Sequence, residues 1–444
     1  MTTHRIATIA RIALAAGILL LVAHPSPAQR AAGAKLDLTP VKPESVGFSS
    51  ERLECLHALM QKEVDQKHFS GIVTLLARHG KVVDYRAYGV RDLASGAPMT
   101  TDTIFRDHSM TKPVTGVALM ILYEQCKWLP SDPISKFIPE FANLKVLKGF
   151  DANGKMILVD PDHAPTMREL MTHTAGFSYG TGNTVVDAMF NDQHVLESKN
   201  LQEMVDKLAK IPLLYQPGTK WIYSVSMDIE GYIIEKLSGQ TLPDFMREQI
   251  FTPLGMRDAA FYVPEDKRSR FATLYKPDSD GNLVVDLDAC CGLKEYKAQP
   301  TMPSGGGGMV STTEDYYRFA QMFLDRGELN GVRILAPSSI QLMATNRIPE
   351  SMLTGEYRVG TQILRPGFGY GYNGTVEYDP QLAGLPDGKG TYLWSGIGGT
   401  WFWVDPTNDV VFIGMVQRMT ADTSPHLGYM SRAVVYQALV DPAK

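Results

Sequence analysis

The stretch Arg106-Asp107-His108-Ser109-Met110-Thr111-Lys112-Pro113 runs directly into an apolar segment, residues 114–123, that carries no charge. It contains Ser-x-x-Lys. A serine and a lysine three positions apart lie on one face of a helix, a single turn from each other. Proline is tolerated only near a helix start, so Pro113 predicts a helix that begins close to Ser109 and ends near Lys127. That start puts the Ser109 hydroxyl at the positive end of the helix dipole, with the Lys112 amine beside it. An amine held there and partly shielded from water can act as a base for the serine. An isolated Ser-x-x-Lys is also what a solvated helix face looks like, so the rest of the chain decides.

A serine nucleophile needs a second proton-handling group and an oxyanion hole. Trp221-Ile222-Tyr223-Ser224-Val225 offers the first. It follows Pro217-Gly218-Thr219 and precedes a helical pattern, which puts Tyr223 on a loop at a helix start. A tyrosinate near a lysine can take the serine proton. The oxyanion hole would combine the backbone N–H of Ser109 with one from a strand edge. Trp394-Ser395-Gly396-Ile397 fits that edge, with Ile397 as donor, because glycine lets a backbone approach a substrate closely.

Around these stretches the pattern is β at both ends and helical between. Ser49-Ser50-Glu51 caps a helix with Leu53, Leu56, Met60 and Val64 on one face. Residues 72–77 and 82–88 read as strands joined at His79-Gly80. Residues 140–290 read as mainly helical and loop-rich, with helices at 167–172, 201–210, 226–238 and 242–250. Gly239 stops the third of these. Residues 275–300 are polar and irregular. After Ser304-Gly305-Gly306-Gly307-Gly308, Thr312 or Thr313 caps a helix that stops at Gly327. Residues 391–395, 400–404 and 410–416 form a meander, and a last helix spans 426–439. The simplest architecture is α+β: one antiparallel sheet built from both termini and flanked by helices. Residues 49–128 and 300–440 would form it, with a mainly helical insertion at 129–299.

The 444 residues are 44% hydrophobic and 20% charged, ordinary for a globular protein. Arg5 and Arg11 precede an apolar run, residues 12–23, and Ser26-Pro27-Ala28 gives a small-x-small cleavage site. Residues 1–28 therefore read as a signal peptide, followed by a lead-in at 29–48. The run falls short of the roughly 20 residues of a membrane span, so no stable span is expected after cleavage. The expected location is periplasmic or secreted. A net charge of −5 gives no reason to expect a nucleic-acid partner. Of the four cysteines, Cys55 and Cys126 fall in apolar helical patterns and read as buried thiols. Cys290 and Cys291 are adjacent and could be oxidised in an exported protein. No Cys/His cluster has metal-ligand spacing, so neither a metal nor a cofactor is expected.

Ser-x-x-Lys, then Tyr-Ser about 110 residues on, then x-x-Gly on a late strand, resembles the serine β-lactamase and penicillin-binding superfamily in its class C-like branch. The resemblance covers about 40–440. Thr172-His173-Thr174-Ala175-Gly176, Tyr215-Gln216-Pro217-Gly218, Pro253-Leu254-Gly255-Met256 and the run from Gly305 into Glu314-Asp315-Tyr316 are similar to that branch too. It implies a β-lactamase/transpeptidase-like fold and acyl-enzyme chemistry. Two departures stand out. Tyr223-Ser224-Val225 replaces Tyr-x-Asn, and Trp394-Ser395-Gly396 replaces Lys-Thr-Gly. Losing that lysine removes a cation beside a substrate carboxylate, and Trp394 offers an apolar wall instead. Trp-x-Gly is similar to the family VIII carboxylesterases. The resemblance therefore implies a small-molecule ester substrate, with Ser109 as nucleophile, Lys112 and Tyr223 as proton carriers, and Trp394, Ser395 and Gly396 against the substrate. Alternatives are a β-lactamase or D-alanyl-D-alanine carboxypeptidase, an amidase or acyltransferase on the same fold, and a non-catalytic binding module.

A second motif competes. Gly176-Phe177-Ser178-Tyr179-Gly180 satisfies Gly-x-Ser-x-Gly, which requires a strand before it and a helix after it. A short helix precedes it here and a Gly/Thr-rich loop follows, so Ser178 is not expected to be the nucleophile. His173 reads as a structural helix-end residue. His108 is expected to frame the site or pack beneath it.

Overall fold

The computed structural model describes residues 36–286, 296–352, 358–359, 362–364, 366–419 and 426–444. The expected signal peptide, the first part of the lead-in at 29–35, and Cys290 and Cys291 lie outside the described residues.

Helix α1, Ser50–Asp65, is capped by the Ser49 side chain, which accepts from the Arg52 N–H. Strands β1, Gly71–Arg78, and β2, Lys81–Asp92, form a hairpin. Its two turn residues, His79 and Gly80, both have positive φ, as a tight turn matching the strand twist requires. Strand β3, Ala97–Pro98, extends this edge. Helix α2, Thr111–Glu124, follows a 3-10 turn at His108–Met110. Helix α3 is Ser226–Ser238, and α4 is Thr313–Leu324. The late strands are β4, Phe368–Tyr370; β5, Thr375–Glu377; β6, Thr391–Ser395; β7, Trp401–Asp405; and β8, Val410–Met415. Helix α5, Leu427–Tyr436, closes the chain.

The sheet order is β4-β5-β6-β7-β8-β1-β2-β3, antiparallel throughout. The two ends of the chain meet where β1 pairs with β8, with Val73 opposite Met415 and Leu75 opposite Ile413. Side chains alternate across the sheet, as strand geometry dictates. Val73, Leu75, Ile413 and Phe402 face α2, α4 and the central helices in one core. Ile72, Leu76, Phe412 and Trp403 face α1 and α5 in the other. Both faces are buried, which explains why β1 and β8 carry no exposed residue.

The central segment departs from its mainly helical reading. It contains two hairpins, Val146–Phe150 with Met156–Val159 and Tyr275–Pro277 with Leu283–Val285. Their strands are three to five residues long and mostly half-buried or exposed, too short for the apolar alternation that marks a strand. The helix expected at 242–250 is interrupted by a π-helical turn at Arg247–Phe251. Cys55 and Cys126 are exposed, not buried. Cys55 sits on the outer face of α1, opposite Leu53, Leu56 and Met60. Cys126 takes a left-handed conformation just past α2, where the chain turns toward solvent. Among the described residues, no helix is long and apolar enough to cross a membrane.

Candidate active site

Ser109 lies in the 3-10 turn that leads into α2, and its leading N–H groups have no partner within the helix. Its Oγ accepts a hydrogen bond from Lys112 Nζ at 3.2 Å and one from Tyr223 Oη at 2.6 Å. Residues 114 positions apart in sequence thus meet on one oxygen. Ser109 is partly exposed, whereas Lys112 is fully buried and Tyr223 nearly so. Ser109 thus lies partly open to solvent, and the two groups that bond its oxygen are held in the protein.

The turn that carries Ser109 is held from below. His108 has φ 47°, and Asp107 is fully buried. Asp107 Oδ1 accepts from Ser311 Oγ at 2.7 Å, and its backbone carbonyl accepts from Thr400 Oγ1 at 3.1 Å. Burial pushes the Asp107 carboxyl up to about 8. Burial, with the charges of Arg106 and Lys112, drives the His108 imidazole down to about 3. His108 therefore stays neutral and packs beneath the turn after β6, where its ring abuts Gly398.

Gly396 begins that turn. Its N–H donates to the Thr400 carbonyl at 2.8 Å. A Cβ at this position would lie 2.4 Å from the Asp107 carbonyl oxygen and 2.4 Å from Thr400 Oγ1. Only glycine lets the strand end approach the Ser109 turn this closely. Ile397 follows on the exposed side of the turn, and Ser395 ends β6 half-buried. Trp394 differs from its expected role as a substrate wall. It is 2% exposed, and its ring packs against Tyr223 at 5.6 Å and Tyr370 at 5.5 Å. Strand alternation sends Trp394 into the core, where it backs the tyrosine.

Tyr223 is boxed on three sides, by Trp394, by His173 at 4.8 Å and by Tyr179 at 5.4 Å. His173 Nδ1 accepts the Ser224 N–H at 3.2 Å and lies 3.0 Å from Ser224 Oγ. Burial, then the Lys112 charge, lowers the His173 imidazole well below its usual range. It is a neutral strut for the Tyr223 loop. Ser178, the competing serine, is buried and donates to Asp187 Oδ1 at 2.6 Å while accepting the Gly180 N–H. That pairing ties a loop to the helix Val185–Asp192.

Tyr179 was passed over in the sequence with the Gly-x-Ser-x-Gly motif. Its ring packs beside Tyr223, and Lys112 Nζ lies 5.1 Å from its centroid. Asp107, Asp228 and Glu230 were missed too. Nothing in the sequence separates them from solvated acids, because their partners lie far along the chain.

Residues 56–437 match the family model described as Beta-lactamase. The chain is 34% identical to Protein Rv1367c of Mycobacterium tuberculosis over 81% of its own length and 88% of that protein's. It is 30% identical to Esterase EstB of Burkholderia gladioli, covering 78% of this chain and 86% of EstB. The solved structure of EstCE1, described as a hydrolase with promiscuous acyltransferase activity, superposes with a TM-score of 0.73 at 26% identity. It covers 89% of this chain and 99% of EstCE1. A Ser-x-x-Lys helix start against an antiparallel sheet and a match along most of the chain lead to one conclusion: the protein is a serine hydrolase of the beta-lactamase family.

Proposed function

We propose that this protein is an exported carboxylesterase that cleaves short-chain esters through a Ser109 acyl-enzyme. The observation that carries the reading is the convergence of Lys112 Nζ and Tyr223 Oη on Ser109 Oγ, at 3.2 and 2.6 Å. Ser109 Oγ attacks the ester carbonyl, and its proton passes to the Lys112–Tyr223 pair. The N–H groups of Ser109 and Ile397 hold the oxyanion. Tyr223 returns the proton to the leaving alcohol as the ester C–O bond breaks. Water then attacks the acyl-enzyme, gives a proton to Tyr223, and the acid leaves with Ser109 restored. Proton transfer of this kind is worth roughly 10²–10⁴-fold, and an oxyanion donor about 10²–10³-fold.

The preference for esters over β-lactams rests on Trp394-Ser395-Gly396, which puts no cation on the strand beside the nucleophile. The likeness to EstB and to EstCE1 supports it. A turnover panel of p-nitrophenyl esters of increasing chain length beside nitrocefin, with wild type and Ser109→Ala, tests the reading. Short esters should turn over fastest, and Ser109→Ala should be inactive. Nitrocefin turnover exceeding ester turnover by orders of magnitude would favour a β-lactamase instead. Acyl transfer to an alcohol is a second reading, supported by the likeness to EstCE1, a hydrolase with promiscuous acyltransferase activity. A transesterified product with added alcohol would reveal it. Export is tested by the N-terminus of the cell-derived protein, expected at Gln29.

A further inference from the structure

Helix α3 starts three residues after Tyr223, and it carries two fully buried acids, Asp228 and Glu230. Both are turned toward Lys112. Glu230 Oε2 accepts from Asn373 Nδ2 at 2.6 Å, and the same nitrogen donates to the Lys112 carbonyl at 3.0 Å. Asn373 reaches that position only because α2 carries Gly116 there, where a Cβ would lie 2.8 Å from the amide carbon. The backbone of Lys112 is thereby fixed.

Its amine is fixed from the other side. Lys112 Nζ donates to the Gly306 carbonyl at 2.7 Å, a shorter contact than the one to Ser109. Gly306 lies in the glycine-rich loop after Ser304, and Asp228 holds that loop. Asp228 Oδ1 accepts from Ser304 Oγ at 2.5 Å and from the Gly306 N–H at 3.2 Å. Thr115 Oγ1 donates to the Gly305 carbonyl at 2.7 Å from the α2 side. The glycines are required by this clamp. A Cβ on Gly305 would lie 2.3 Å from the Met227 carbonyl oxygen, and one on Gly306 would lie 2.5 Å from Asp228 Oδ2.

We propose that Asp228 is a positioning residue for Lys112, acting through Gly306. By binding the Gly306 N–H it presents the Gly306 carbonyl to the lysine amine and so aims that amine at Ser109 Oγ. The inference rests on the reading of Lys112 as the base for Ser109. Without the clamp, Nζ loses its fixed acceptor and can rotate off the nucleophile, and misplacement on the ångström scale costs up to about 10²-fold in rate. Asparagine keeps an oxygen where Oδ1 stands and can accept the same two hydrogen bonds. Alanine cannot.

The test uses the full chain and two readouts: the rate of covalent labelling by a fluorophosphonate probe, and kcat and KM for p-nitrophenyl acetate. Labelling of wild type that is lost in Ser109→Ala establishes the nucleophile independently of Asp228. Asp228→Ala should then label and turn over about 10–100-fold more slowly, with KM within about twofold. Asp228→Asn should stay within about threefold of wild type. If Asp228→Ala does not fold, Asp228→Ser carries the same prediction, because its shorter side chain stops short of the Gly306 N–H. Wild-type rates in the alanine or serine variant would overturn the inference and leave the nucleophile standing. An asparagine variant as slow as the alanine variant would overturn it too, because the hydrogen bond to Gly306 would then not be what matters.

Discussion

Ser109 Oγ accepts from two groups that sequence placed differently. Lys112 is one helical turn away and was legible from a four-residue motif. Tyr223 is 114 positions away; its loop at a helix start made it a candidate, and the resemblance gave it weight. Asp107 and Asp228 were not legible, because burial is a property of what packs around a residue. The Asp228 partners lie 76 and 78 positions downstream. At this scale the expected outcomes are sharp. Lys112→Ala and Tyr223→Phe should each lower kcat by about 10²–10⁴-fold, with circular dichroism unchanged. Ser178→Ala should leave kcat within a few fold. It removes the bond to Asp187, so its signature should be a loss of about 1 kcal/mol in denaturant unfolding. Gly396→Ala forces a contact with the Asp107 carbonyl and should lower activity together with stability.

Elements with long periodic patterns matched their sequence reading. Helix α3 spans Ser226–Ser238 and ends at Gly239 with φ 73°, as its apolar spacing and stop signal imply. Strands β4 and β5 were missed because each is three residues long, too short for alternation to register. Helix α1 carries a pH-dependent contact that no pattern announces. His57 Nε2 lies 3.0 Å from Asp84 Oδ1 on β2, and Nδ1 lies 3.2 Å from Glu54. Burial of the ring favours its neutral form, and Arg86 does so weakly. The bond to Asp84, its charge and the bond to Glu54 outweigh them and raise the imidazole above its ordinary value of 6.5. The stabilisation is therefore fully present below about pH 6.5 and is lost as pH rises through the higher folded value. His57→Gln should flatten the pH dependence of thermal unfolding across that window. An unchanged profile would show that the pair does not anchor α1.

For the whole molecule, the sequence established that both ends of the chain build the sheet, because strand patterns occur at each. It did not establish the strand order, since pairing β1 with β8 is a choice between distant segments that local chemistry does not encode. The finished sheet separates two cores. One holds the Ser109 turn, Tyr223 and the central helices, and the other lies beneath α1 and α5. Trp403 belongs to the second and stacks on Phe412 at 4.3 Å. Trp403→Ala should cost about 3–5 kcal/mol in unfolding free energy, with kcat/KM of the folded fraction unchanged, because the sheet stands between it and Ser109.

Acyl-enzyme chemistry here requires Ser109 to carry the acyl chain. Peptide mapping by mass spectrometry, after reaction of the whole protein with a fluorophosphonate probe, addresses it most directly. The adduct is expected on the peptide containing Ser109 and should vanish in Ser109→Ala. An adduct on Ser178, or one that persists in Ser109→Ala, would contradict it.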